Sequence, residues 1–299
     1  MRLTLGCRRL GGVDSLLECF ASPSKGVQQA SSFAMSQAAF DFEVRREMRA
    51  KDGIRPLAKL LQSDDAKVVE QAMMAVANLA LDVPTKQAIA VLGGMGFCAG
   101  LLSSSDVPVQ ANACLAVGRL VYDFNSASEF NDKDGASLLT EILSSYVATA
   151  EKWEAALAAS EAKDDKSRPE GIDEPDANLG QCLMDSLCSV SEHGIPRTPH
   201  RPLFNEHSIC ALPTGTIRDE LRMREGLFTK LFKAAHLSVG GGSVAVGAAT
   251  ALANFTFDVQ SRPQLLDMGT VAVFMKCSEA DNVAGLPQTA SASVLHSII

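Results

Sequence analysis

Apolar residues along this chain fall into a block that recurs. Gly12, Gly53, Gly94 and Gly135 succeed one another at equal intervals of 41 residues, and each introduces a short apolar stretch: VDSLLECF, IRPLAKLL, MGFCAGLL and ASLLTEIL. In register, Leu60, Leu101 and Ile142 coincide, as do Leu61, Leu102 and Leu143. Such a stretch predicts a two-turn helix. A polar break follows (SPSKG, SDDAK, SSDVP), then a longer helix with apolar residues at helical spacing: Val68, Ala72, Ala75, Val76 and Leu79 in one copy, Val109, Ala113, Ala116, Val117 and Leu120 in the next. One such unit cannot bury its own apolar face, so copies must stack into a continuous core. Glycine suits the sharp turn between helices, where a Cβ would interfere.

A distant copy aligns without gaps. ALANFTFDVQSRPQLLDMG (251–269) matches AVANLALDVPTKQAIAVLG (75–93), setting Asn254 on Asn78, Asp258 on Asp82 and Arg262 on Lys86. The repeats run over 12–52, 53–93 and 94–134, then an interrupted copy over 135–225, one over 226–268 and a partial one to 299. In the interrupted copy the stripe Leu139, Leu143, Tyr146, Ala150, Trp153 and Leu157 predicts that the first helix is extended. It passes into the acidic, solvated stretch EAKDDKSRPEGIDEPD before Leu179, Leu183, Leu187 and Val190 restore a long helix. GIPRTPHRPLFNEHSICALPTG is too rich in proline for helix, and Thr216 with Asp219 offers a capping box that opens the next helix. The expected segments are therefore 1–145 (three repeats and the start of the fourth), 146–178 (insertion), 179–225 (rest of that repeat with its proline-rich loop) and 226–299 (C-terminal repeats). The last helix, with Ala292, Val294, Leu295, Ile298 and Ile299, is apolar, which leads to the expectation of a fragment or of an end covered by a partner chain.

Period, register and the Asn-Leu close of the long helix resemble the armadillo repeat family over about two thirds of the chain. The resemblance implies an all-α, armadillo-type right-handed superhelical solenoid of about five to six repeats, with insertions in the fourth. It also implies a concave groove lined by the long helices. Asn78 and Asn254 stand where importin-α and β-catenin relatives bond the backbone of a bound peptide. Other copies place Gln37, Arg119 and Ser189 there, so the Asn ladder is broken. One turn earlier, where importin-α carries Trp, stand Phe33, Met74, Leu115 and Thr250. An asparagine near a helix end also commonly satisfies local backbone groups, and that reading stays open. Asp41, Asp82, Asp123 and Asp258 recur four residues after the ladder position; helix capping is their expected role, with attraction of basic partner segments as the other. The expected groove residues are Gln37, Met74, Asn78, Asp82, Arg119, Asn254 and Asp258, with Trp153 as the partner-binding residue of the insertion.

Composition narrows the chemistry. The 299 residues are 46% hydrophobic and only 5% aromatic, a balance suited to stacked helices, and the net charge of −8 argues against a nucleic-acid surface. Eight cysteines without a C-x-x-C pair read as reduced thiols. No apolar run reaches the length of about 20 residues that a spanning helix needs, so no direct membrane insertion is expected. Arg2, Arg8 and Arg9 precede the first acidic residue, a feature shared by mitochondrial presequences and by basic helix ends. His193, His200 and His207 lie near Cys182, Cys188 and Cys210, but their spacings fit no standard zinc site. VGGGSVAVG lacks the ending of a phosphate loop, and no catalytic set has a positioning context. Neither enzyme activity, cofactor nor metal is expected. The expected function is a scaffold or adaptor that binds an extended peptide or helical protein partner, placed in the cytoplasm, with the nucleus and the cytoskeleton or cilium as further compartments. A nuclear-import-like receptor for basic peptides is the alternative, and an enzyme or metal protein centred on the His/Cys insertion is a third.

Overall fold

In the computed structural model, the described residues are 11–161, 171–191, 216–237, 243–256, 258 and 260–272, and every regular element among them is a helix. The chain divides into two compact units, Met1–Lys133 and Asp134–Ile299.

The first unit repeats one three-helix motif. α1 (Gly12–Phe20), α2 (Lys25–Ala38) and α3 (Phe42–Ala50) form the first copy. α4 (Ile54–Leu60), α5 (Ala66–Leu79) and α6 (Val83–Val91) form the second, and α7 (Gly94–Leu101), α8 (Val107–Leu120) and α9 (Phe124–Asp132) the third. The long helix α5 packs against both α2 and α8. Small side chains allow this close approach: Ala72, Ala75 and Ala77 on α5 and Ala111, Ala113 and Ala116 on α8 are fully buried.

Aspartates start the helices. Asp65 accepts from the Lys67 and Val68 amides to cap α5, and Asp106 accepts from Val109 to cap α8. Asp41, Asp82 and Asp123 likewise cap α3, α6 and α9, and Asp123 completes a capping box with Ser126. Each cap contributes about 1 kcal/mol by satisfying amides that have no partner inside the helix.

The sharp turn lies one residue before the recurrent glycine. Left-handed backbone occurs at Gly11, Asp52, Gly93 and Asp134, again at intervals of 41 residues. At the second of these turns the Gly53 amide donates to the Met48 carbonyl at 2.8 Å, which closes the helix end around Asp52. The recurrent glycine serves another need, close packing: a Cβ on Gly94 would meet the Ile89 side chain and lie 2.8 Å from its carbonyl oxygen.

The second unit begins with α10 (Gly135–Glu161), one uninterrupted helix of 27 residues. α11 (Ala177–Ser191), α12 (Thr216–Arg222), α13 (Leu227–Ala234), α14 (Ser243–Phe255) and α15 (Arg262–Asp267) come after it. α11 packs on α14, while α10 packs on α11, α12 and α13. Gly180 on α11 gives room to the Tyr146 ring of α10, and Gly247 on α14 gives room to Met184. The left-handed Gly269 repeats the conformation of Gly93, its partner in the sequence alignment. No helix among the described residues is long and apolar enough to cross a membrane.

Candidate functional site

At three ladder positions the side chain at the end of a long helix turns toward the preceding long helix. Asn78 Nδ2 donates to the Ser36 carbonyl at 3.1 Å, and Arg119 Nη1 donates to the Ala77 carbonyl at 2.8 Å. In the second unit Asn254 Nδ2 donates to the Cys188 carbonyl at 3.2 Å and to Ser191 Oγ at 3.0 Å. The acceptors share one logic: Ser36 precedes Gln37, Ala77 precedes Asn78, and Cys188 precedes Ser189, so each side chain bonds the carbonyl just before the previous copy's ladder residue. Asn78 and Asn254 are buried, at 6% and 2% exposure, and tie neighbouring long helices together. Gln37, on the first long helix described, is exposed. Sequence reasoning missed one rung: Asn112 donates to the Glu70 carbonyl at 3.2 Å. Its position seven residues before Arg119, on the same helical stripe, was the available signal.

One turn before the ladder lies a row open to solvent. Phe33 is 50% exposed, and Met74 and Leu115 are half-buried. Ser36 Oγ, which donates to the Phe33 carbonyl at 2.8 Å, lies 3.5 Å from Met74 Sδ and so brings α2 and α5 into contact beside this row. In the second unit Thr250 is half-buried and donates back to Val246 O within its own helix.

Asp82 caps α6 and also centres a cationic cluster. Its carboxylate accepts from Arg45 Nε at 2.5 Å, Arg49 Nη1 at 2.9 Å, and the Thr85 amide and hydroxyl. Burial pushes this carboxyl up, but the bonds from Arg45 and Thr85 and the charge of Arg49 outweigh it and hold it below the usual carboxylate range. Arg45 in addition donates to the carbonyls of Ala39 and Phe40 and so closes the C-terminal end of α2. Lys86 is 3% exposed, and its ammonium lies 5.5 Å from the centre of the Tyr122 ring. Burial, with Arg119 nearby, brings its pKa down to about 8 against the opposing pull of Asp82. In the second unit Asp258 accepts from the Gln260 amide and from Ser261 Oγ and lies 3.4 Å from Arg222 Nε.

Trp153 lies on α10 and is buried, at 6% exposure. Of the residues weighed for zinc, Cys182 is buried on α11 and Cys188 half-buried, while His193, His200, His207 and Cys210 lie outside the described residues. So do much of the acidic stretch after Glu161, the glycines at 240–242 and the apolar C-terminal segment. No group of three His, Cys, Asp or Glu side chains that could hold a metal occurs among the described residues.

No protein-family model matches the chain, and no curated protein matches it. Solved structures do. The designed armadillo repeat protein YIII(Dq)4CqI is similar with a TM-score of 0.65 at 16% identity, covering 95% of this chain and 97% of its own. The designed armadillo repeat protein YIII(Dq.V1)4CPAF, solved in complex with the peptide (KR)4, has a TM-score of 0.65 at 16% identity over 95% of this chain and 98% of its own. An engineered protein from a structural genomics consortium has a TM-score of 0.66 at 18% identity over 96% and 95%. Repeat period, helix triplets and these likenesses together establish an all-α solenoid with the armadillo-type repeat fold.

Proposed function

We propose that the protein is a binding scaffold that holds an extended protein segment across the long helices of its first unit. The observation that carries this reading is the row Phe33, Met74 and Leu115: side chains at one register of the three long helices α2, α5 and α8, all reaching solvent. An extended segment crossing such a row meets a similar surface at each step, which suits recognition of a peptide without secondary structure of its own. A designed relative in fold was solved holding a peptide, which supports the same reading by analogy. Gln37 and Arg119 border the row and supply polar contacts, whereas Asn78 and Asp82 serve it by fixing the helices that carry it, and Asn254 and Asp258 tie helices of the second unit. With Trp153 buried, the row is a better docking place than the 146–178 insertion.

The import-like alternative, with basic peptides held by an Asn array, has less support. Asn78 and Asn254 spend their amides on helix carbonyls, and the ladder residues between them in sequence are the cation Arg119 and Ser189. An adaptor role in the cytoplasm, nucleus or cytoskeleton is part of the proposal.

Peptide-display selection against the full chain tests it. Extended binders should emerge, and the triple change Phe33→Ser, Met74→Ser and Leu115→Ser should abolish their binding while leaving the helical circular dichroism intact. Binding unaffected by that triple change would refute the groove.

A further inference from the structure

We propose that Lys86, with Arg119 beside it, seats a carboxylate of the bound segment, so that the groove of the first unit selects an Asp or Glu side chain at one place along its length. This rests on the peptide-binding reading and names the chemistry of one of its subsites.

Lys86 occupies a position whose other occupants are fully engaged. Arg45 lies 41 residues earlier, and Arg262 matches Lys86 in the second unit. Both arginines close the long helix before them: Arg45 on the carbonyls of Ala39 and Phe40, Arg262 on that of Thr256 at 2.8 Å. Arg45 also takes the carboxylate of Asp82, which the next copy supplies. Lys86 has neither arrangement. Its ammonium makes no hydrogen bond or ion pair among the described residues, although the side chain is 97% removed from solvent and faces the Tyr122 ring. The carboxylate in the matching place, Asp123, caps α9 through the Ser126 amide at 2.8 Å, as Asp82 caps α6, but forms no ion pair with Lys86.

The surrounding charges leave the place positive. From α3, Arg45 and Arg49 face Asp82 and saturate both of its oxygens. From α8 comes the guanidinium of Arg119, whose Nη1 reaches the Ala77 carbonyl and Asn78 Oδ1. Tyr122 is no acid here, since burial pushes its phenol up to about 12, and α7, which also packs on α6, contributes only Cys98, whose thiol burial likewise lifts to about 12. A buried cation whose nearby carboxylate, Asp82, is already taken up by two arginines is costly, and an incoming carboxylate lowers that cost while gaining charge-assisted hydrogen bonds. Tyr122 and Arg119, both half-buried, give the approach from solvent. The next copy has Ala127 at the position of Lys86, so the seat does not recur there.

Lys86 is followed by NMR in the full chain carrying labelled lysine, with its resonance assigned from Lys86→Met, at constant ionic strength. The probes are sodium acetate, inorganic phosphate, an alternating Glu/Ala peptide and its Gln/Ala counterpart. Acetate and the Glu/Ala peptide should raise the Lys86 pKa from about 8 toward 10.5, and the Gln/Ala peptide should leave it in place. The Glu/Ala peptide should bind about tenfold more tightly than its neutral counterpart, an advantage lost in Lys86→Met. A Lys86 resonance unmoved by both carboxylate probes overturns the seat, and one moved by phosphate alone reassigns it to phosphoryl groups and overturns the carboxylate. If both peptides bind equally and Lys86 stays unmoved, the seat falls and the groove stands. If acetate shifts Lys86 while neither peptide binds, the seat stands and the groove reading fails.

Discussion

Arg119 Nη1 donates to Asn78 Oδ1 at 2.8 Å, so the ladder residues of two adjacent copies hold one another rather than lying independently along a groove. Since Asn78 in turn reaches back to Ser36, the three long helices of the first unit are joined through one continuous line of polar contacts.

Loss of that line should register as stability. Asn78→Ala removes the donor to Ser36 and the acceptor for Arg119 at a buried place, and should cost about 1–3 kcal/mol. Gln37→Ala, at the same register on an exposed face, should stay within about 0.5 kcal/mol. Urea unfolding of the full chain followed by circular dichroism compares the two. Equal effects would mean that burial of the rung carries no energy.

Asp82 should make the first unit acid-sensitive. Its folded pKa lies below the ordinary value of 3.8, so its contribution is fully present above that value and fades as pH falls through the lower folded pKa. Asp82→Ala leaves the buried Arg45 and the half-buried Arg49 without their counter-charge and should cost about 3 kcal/mol at neutral pH. The check is unfolding free energy against pH: the slope below 3.8 should be shallower in Asp82→Asn than in the parent chain.

Lys86 should act in the opposite sense to a stabilising pair. Its pKa falls from 10.5 unfolded to about 8 folded, so between those values the unfolded chain binds the extra proton and stability rises with pH. The full rise amounts to about 3 kcal/mol. Lys86→Met should abolish the rise and be the more stable form at neutral pH, as measured by thermal unfolding across the alkaline range. Identical alkaline profiles in the two proteins would show that Lys86 is not desolvated.

Two adjacent glycines should respond differently. Gly94→Ala puts a methyl group against the Ile89 side chain and its carbonyl, where backbone must yield, and should cost about 1–3 kcal/mol. Gly93→Ala meets nothing within 4 Å and bears only the left-handed backbone, about 1–2 kcal/mol. Adding Ile89→Ala should relieve only the side-chain part of the Gly94→Ala cost, leaving the carbonyl contact, and should leave the Gly93→Ala cost unchanged, a double-mutant cycle read by chemical unfolding.

The repeat was legible because its period is carried by residues whose roles are local: apolar positions set helix faces, and aspartates four residues past the ladder cap the next helix. The uninterrupted α10 was legible from the stripe Leu139 to Leu157 for the same reason. Partnerships between copies were hidden. Asp82 looks like any capping aspartate until Arg45 and Arg49, 37 and 33 residues earlier, converge on it. The direction of Asn78 and Asn254 depends on a helix lying close enough to offer its carbonyls, which no local pattern encodes. The left-handed turn was masked by composition, since over Gly11, Asp52, Gly93 and Asp134 it alternates between Gly and Asp while the residue after it is glycine each time. Lys86 passed as a conservative match to Arg262, although an ammonium lacks the reach and the fork of donors that close a helix end.

The uniform seam has a consequence for how such a chain can be rewritten. Each copy of the first unit enters through a left-handed Gly or Asp followed by glycine, so cutting out or duplicating 53–93 would recreate junctions of a kind the molecule already contains. Length is then a quantity adjustable in whole modules, and a duplicated module would bring a second Lys86 with it. The present chain, with Arg45 and Ala127 on either side of that lysine, is a row of near-identical steps with one step marked.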